Sequence, residues 1–297
     1  MPELPEVEAL RGFLEERLTG RAIARALPVA VSVLKTYDPP LSALEGRTFR
    51  SVSRHGKFLG MELPEPPGGG GADGGGLWLV VHLARAGWLQ WKDSFPAAPP
   101  RPGKGPLALR VELAEGGGFD LTEAGTQKRL AVYVVRDPAD VPGVARLGPD
   151  PLAESFTREE FAGLLRGQRH RIKGLLRDQS VISGIGNAYS DEILHAAKMS
   201  PFKVADELTE DEISGLYGAM LATLTAAVER ARGLSAAELK AGKRMGLRVH
   251  GRAGEPCPVC GDTVRSVSFR DSSLEYCPTC QTGGKPLADR RMSRLLK

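Results

Sequence analysis

Apolar positions recur at two different periods along this chain, and the change of period divides it. Near the start, Val7, Leu10, Phe13, Leu14 and Leu18 follow helical spacing, with Pro5 suited to a first turn and Gly20 to a stop. They predict an amphipathic helix that buries one face. Short apolar runs separated by turn residues come next. Leu77 to Leu83 reads as a buried strand, Leu107 to Leu113 alternates, and Leu130 to Val135 is another apolar run. Strand-rich patterning over residues 20–135 predicts a β-sandwich or barrel-like domain. The glycine- and proline-rich stretch from Pro64 to Gly76 interrupts it and predicts a disordered hairpin insertion.

Proline density in Asp137-Pro138 and Gly148-Pro149-Asp150-Pro151-Leu152 marks a linker over 136–152. Beyond it the period becomes helical. Thr157 with Glu160 forms a capping-box pattern before Phe161, Leu164 and Leu165. Ile172, Leu175 and Leu176 continue the spacing. Thr209 with Glu212 is a second capping box, ahead of Ile213, Leu216, Met220 and Leu224. The fold class expected is α+β. It has a β-sandwich domain with its leading helix (1–135), the linker, a helical domain (153–245), a ribbon (246–284) and a basic tail (285–297).

Apolar content of 41% and charge of 26% are ordinary for a globular protein. No apolar run approaches membrane-spanning length and no basic-then-apolar leader opens the chain, so a cytoplasmic, nucleoid-associated monomer without a membrane partner is expected. Residues 241–297 hold 11 Lys/Arg against 5 Asp/Glu, a local net of +6 that leaves −2 for the first 240. A basic end points to an anionic partner, nucleic acid first.

The four cysteines stand in one window as Cys257-x2-Cys260-x16-Cys277-x2-Cys280. That is structural zinc spacing, and four thiolates leave no open position for catalysis. The expected cofactor is one structural Zn2+. The ribbon would project a hairpin bearing Val264 to Phe269 and Arg270. Upstream, Ser183-Gly184-Ile185-Gly186-Asn187 sets two glycines just before a helix start, where backbone N–H groups suit a phosphate.

The first residues carry candidate chemistry of another kind. Initiator methionine is usually removed ahead of proline, which would leave Pro2 with a secondary amine. A free α-amino group has a pKa of roughly 7.7–8.0, so part of it is neutral and nucleophilic near pH 7. Attack on an aldehyde-level carbon would give a cationic iminium, and Glu3 stands beside it as proton donor and acceptor.

Met1-Pro2-Glu3-Leu4-Pro5-Glu6-Val7-Glu8 resembles the start of the formamidopyrimidine-DNA glycosylases, the bacterial enzymes that remove oxidised purines from DNA. The related endonuclease VIII group shares the Pro-Glu start. Leu-Gly-Pro-Asp-Pro-Leu (147–152), the Gly-x-Gly-Asn turn and Val249-His250-Gly251-Arg252 to Cys257 follow the same family in order, so the resemblance covers nearly the whole chain. It implies a helix-two-turn-helix domain, damaged double-stranded DNA as partner, Pro2 as Schiff-base nucleophile and Glu3 as acid/base. It implies that Lys57 reaches the opened sugar or its phosphate. It places Asn187 and Lys173 on phosphates, with Lys104 a further DNA contact.

The chain departs from the family at several places. Ser272 stands where the family has a phosphate-holding arginine, with Arg270 a substitute two residues earlier. The family fills the gap left by an everted nucleotide with Met, Arg and Phe; the matching positions here are Arg85, Lys128 and Leu130. The segment from Gly233 to the ribbon is shorter than the family's loop over an oxidised guanine. The expected function is a bifunctional glycosylase and abasic-site lyase. An endonuclease VIII-like enzyme for oxidised pyrimidines or abasic sites, and a non-catalytic damaged-DNA-binding protein, remain as alternatives.

Overall fold

Glu3, not yet helical, opens the molecule's first helix by a reciprocal cap. Its side chain accepts the Glu6 backbone N–H, and its own N–H donates to Glu6 Oε2 at 2.8 Å. Helix α1 then runs Leu4–Leu18 with Pro5 in its first turn. Leu4, Val7, Leu10, Leu14 and Leu18 are fully buried on one face, each worth about 1.5–3 kcal/mol of burial. Phe13, expected on that stripe, is only half-buried, with Arg17 3.9 Å over its ring.

This computed structural model describes residues 1–65, 75–101, 105–124, 126–269 and 273–288. Most of the glycine-rich insertion, Lys104, Arg270 and the end of the basic tail lie outside them. The chain forms two compact units, Met1–Arg146 with Ala231–Lys240, and Leu147–Arg230 with the segment from Ala241 onward.

The first unit holds two four-stranded antiparallel sheets. Strands β1 (Ile23–Pro28), β6 (Leu107–Leu113), β7 (Gly118–Glu123) and β5 (Gly87–Lys92) lie in the order β1-β6-β7-β5. Strands β2 (Ser51–His55), β3 (Phe58–Leu63), β4 (Leu77–His82) and β8 (Ala131–Val135) lie in the order β2-β3-β4-β8. Both sheets and α1 contribute to one apolar core. The register pairs Leu59 with Val81, Met61 with Leu79 and Leu63 with Leu77, all facing that core. Val80 and Val135 face the other way, against Val141 in the turn before the short helix α2 (Pro142–Ala145). A strand covered on both faces has no polar alternation, which is why residues 77–83 read as a continuous apolar run.

The second unit holds α3 (Arg158–Leu165), α4 (Ile172–Arg177), α5 (Asn187–Ala196) and most of α6 (Glu210–Ala231). The ribbon hairpin β9 (Arg265–Ser268) and β10 (Ser273–Tyr276) and the one-turn α8 (Pro278–Thr282) complete it. Thr157 Oγ1 accepts from Glu160 N at 3.1 Å, and Thr209 with Glu212 caps reciprocally. Helix α7 (Leu239–Gly246) occupies the segment before the ribbon. The stretch 231–240, expected in the helical domain, packs Ala231, Ala236 and Leu239 into the β core, and Trp88 Nε1 donates to Ala236 O at 2.7 Å.

Candidate active site and nucleic-acid interface

Pro2 and Glu3 are buried ahead of α1, Glu3 with 2% exposure, while Met1 is 47% exposed. The capping box holds the Glu3 carboxylate against the backbone N–H of Glu6 in the first turn of the helix. The terminus is therefore built into the fold. Helix α1 lies on β2 and β3. Glu8 of α1 fixes this contact by accepting from Arg54 Nε of β2 at 2.7 Å. Burial works against the Glu8 carboxylate, but bonds from Arg54 and Arg11 outweigh it and hold its pKa below the usual range.

The turn joining β2 to β3 is only Gly56-Lys57, between the paired residues His55 and Phe58. Gly56 sits at φ +56, as the first central residue of such a tight hairpin requires. The next position thus presents Lys57, 8% exposed, at the end of the hairpin that α1 clamps. His82 pairs with Phe58 across the sheet and lies against its ring, with centroids 4.5 Å apart. Burial first, and the Lys57 charge second, lower the His82 pKa to about 4, so its imidazole is neutral near pH 7.

Arg85 is exposed in the β4–β5 turn. Ala84 beside it holds φ +53, a strained value for a residue with a Cβ. A Cβ on Gly87 would stand 2.1 Å from Leu83 O, so this turn tolerates only glycine there. Lys128 is exposed and its Nζ donates to Glu123 O. Glu123 is a residue the sequence pattern does not single out. Its buried Oε1 accepts Arg129 N at 2.7 Å and Leu130 N at 3.0 Å, wrapping the loop onto one carboxylate. Leu130, expected to replace lost base stacking, is 1% exposed and belongs to the core.

In the second unit everything converges on α5. Asn187 is its first residue, and Asn187 Nδ2 donates to Ser273 O of β10 at 2.8 Å. Asn187 Oδ1 is buried without a hydrogen-bond partner among the described residues. Lys173, expected on a phosphate, is instead buried. Its Nζ reaches Asp191 Oδ1 at 2.5 Å and Ser190 Oγ at 2.8 Å. The reason is physical: an ammonium out of water needs a fixed counter-charge, and Asp191 supplies it from the facing helix. Asp191 Oδ2 and Glu275 Oε2 lie 2.8 and 2.9 Å from His250 Nδ1. Burial alone would lower the His250 pKa; these two carboxylates outweigh it and raise it to about 9. Glu192 accepts the backbone N–H groups of Arg248, Val249 and His250 at 2.8–2.9 Å.

The four cysteine sulfurs lie within 4.8 Å of one another. Cys257 and Cys280 are 3.9 Å apart and Cys260 and Cys277 3.3 Å. A tetrahedron with zinc–sulfur bonds of about 2.3 Å has edges of about 3.8 Å, so the set fits one structural Zn2+. Burial pushes the Cys277 thiol up to about 11 and raises Cys280 as well, so binding the cation means expelling protons. His195, at the far end of α5, carries no motif in the sequence. Its Nε2 lies 3.3 Å from Cys257 Sγ, and burial followed by the Arg248 charge lowers its pKa. A neutral ring donating Nε2–H to the sulfur satisfies both observations. Lys104 and Arg270 lie outside the described residues.

Residues 1–130 match the formamidopyrimidine-DNA glycosylase N-terminal domain, 147–238 that family's H2TH domain, and 254–283 the zinc finger found in FPG and IleRS. The chain is 34% identical over 292 residues to the formamidopyrimidine-DNA glycosylase of Symbiobacterium thermophilum, covering 95% of this chain and 89% of that one. It is 60% identical over 159 residues to an uncharacterised formamidopyrimidine-DNA glycosylase-like protein of Mycobacterium tuberculosis, covering 54% of this chain and 99% of the other. The crystal structure of the Lactococcus lactis glycosylase non-covalently bound to abasic-site DNA aligns with TM-score 0.79 at 27% identity, over 94% and 99% of the two chains. MutM in complex with DNA containing carbocyclic 8-oxo-G aligns with TM-score 0.80 at 26% identity, over 95% and 100%. Matched over nearly its full length, this chain belongs to the formamidopyrimidine-DNA glycosylase family and is a DNA-repair glycosylase carrying one structural zinc.

Proposed function

We propose that this glycosylase is also an abasic-site lyase and that Pro2, freed of Met1, is its nucleophile. The observation that carries the reading is the built-in start of the chain, with Pro2 and Glu3 buried and locked to α1 by the Glu3–Glu6 cap. In the reaction, the Pro2 nitrogen bonds to C1′ of the damaged nucleotide, the glycosidic bond breaks, and the base leaves with a proton. Glu3 handles the protons of ring opening. The resulting iminium acidifies C2′, which loses a proton as the C3′–O bond breaks and the 3′ phosphate leaves. A second elimination frees the 5′ phosphate. Lys57 supplies a positive charge near the sugar, and the neutral His82 beside it offers no competing cation. Asn187 holds a phosphate, while Arg85 and Lys128 face the duplex. Lys173 acts indirectly, by fixing Asp191. Zinc keeps the ribbon folded and takes no part in bond making.

Borohydride trapping tests this. The mature protein gives a covalent adduct on abasic-site DNA whose mass maps to Pro2; Pro2→Gly, or an extension ahead of Pro2, removes it. An adduct elsewhere, or activity from protein retaining Met1, overturns the nucleophile. The second reading concerns the lesion. Related structures hold 8-oxo-G DNA and DNA containing an oxidised pyrimidine, and Arg85 and Leu130 depart from the purine-enzyme pattern. We therefore include oxidised pyrimidines among the substrates. A panel of 8-oxoguanine, formamidopyrimidine, dihydrouracil and abasic sites decides it.

A further inference from the structure

Taking a base out of a duplex removes its stacking, and an enzyme that everts bases commonly inserts an apolar side chain to compensate. The positions where the family pattern would supply one offer only two exposed cations, Arg85 and Lys128, and the core residue Leu130. Elsewhere, Met245 is 85% exposed, the most exposed large apolar side chain among the described residues. A single exposed methionine is ordinary by itself. Its surroundings are not. Met245 is in the last turn of α7, directly after Lys243 and Arg244, and Arg248 follows three residues on. Arg244 and Arg248 are exposed.

This basic end is tied to the start of α5. Lys243 Nζ lies 4.8 Å over the ring of Tyr189, two residues beyond Asn187. Alongside runs a groove of about 610 Å³ lined by Tyr189, Arg230, Leu247, Arg248 and the small residues of α6. Its one acidic lining residue among the described residues, Glu192, has both oxygens engaged by the backbone N–H groups of 248–250. Cations around one protruding apolar side chain match the chemistry of a nucleic acid, with phosphates outside and bases within.

We propose that the C-terminal end of α7 is an additional DNA-contacting element: Arg244 and Arg248, with Lys243, engage backbone phosphates next to the one at Asn187, and Met245 enters the base stack where the damaged base has left. The proposal rests on the glycosylase reading above but concerns binding alone. It is therefore tested on DNA that cannot react, a duplex with a tetrahydrofuran abasic analogue and 2-aminopurine opposite it, using the full-length, zinc-loaded protein.

Wild-type binding changes the 2-aminopurine fluorescence. Met245→Ala, a surface change, abolishes that response and weakens binding to this duplex about tenfold while leaving undamaged duplex within twofold. Met245→Leu restores both. Replacing Lys243, Arg244 and Arg248 by Gln lowers the slope of log affinity against log salt by about 0.9 for each phosphate no longer neutralised. A wild-type fluorescence response in Met245→Ala, or an unchanged salt slope in the Gln variant, overturns the proposal. Failure of borohydride trapping on true abasic DNA would strike the Pro2 chemistry and leave these binding results standing.

Discussion

The two units solve the same problem, holding polar groups still away from water, by opposite means. The first surrounds its functional groups with hydrocarbon. Glu3 and Lys57 are buried in the unit whose core is made of α1 leucines and strands from both sheets, and beside the α1 cap its ion pairs stand apart from one another, Glu8 with Arg54 and Arg110 with Asp120. The second places charge in the middle. Ser190, Asp191, Glu192 and His195 are all buried on α5, and their partners come from α4, the 248–250 segment and the zinc cluster. Hydrocarbon cores degrade gradually when trimmed, whereas a buried ionic network fails when one member goes. The second unit should therefore be the more brittle of the two.

Removing zinc is the harshest way to break that comparison. Chelation, or Cys277→Ser, should abolish duplex binding and the ribbon's protection from proteolysis, while the β unit keeps its own thermal transition. Next comes Lys173→Met, which takes the ammonium from Asp191 Oδ1 and leaves His250 at its other oxygen. It should cost about 3–5 kcal/mol, read as a lowered denaturation midpoint of the second unit. Leu14→Ala in the first unit should cost about 2–5 kcal/mol, with Pro2 trapping on abasic DNA persisting below the new midpoint. If Lys173→Met proves milder than Leu14→Ala, the contrast between the units is wrong.

Titration sharpens the contrast from both ends of the pH scale. His250 has a folded pKa of about 9, above the ordinary 6.5, so its contribution is full below 6.5 and is lost as pH rises through 9. His82 has a folded pKa of about 4, so its neutral ring contributes fully above 6.5 and that is lost as pH falls toward 4. The alkaline loss should vanish in His250→Gln and the acidic loss in His82→Asn, measured as melting temperature against pH. The smallest effect expected is at His195. His195→Phe keeps the volume but removes the N–H donated to Cys257, and should speed zinc release to a chelator several-fold with the fold intact. Release at the wild-type rate would show that the 3.3 Å approach does not bear on the metal.

Residues whose partners are close in sequence could be read without the fold. The α1 stripe, the two Thr-Glu caps, the strand at 107–113 and the cysteine spacing are local patterns, set by helical period, side-chain reach and ligand geometry. Burial is a sum over the whole molecule and has no such signature. Lys173 and Leu130 look in the sequence like a surface cation and an available wedge; the fold commits one to Asp191 and the other to the core. The same holds for His195 against Cys257, 62 positions away, and for Ala236 beneath Trp88, 148 away. What the chain is made of settled the elements, the metal and the candidate nucleophile. Which polar side chains remain to meet DNA was decided only when distant segments closed over the others, because an ion leaves water only where a partner waits for it.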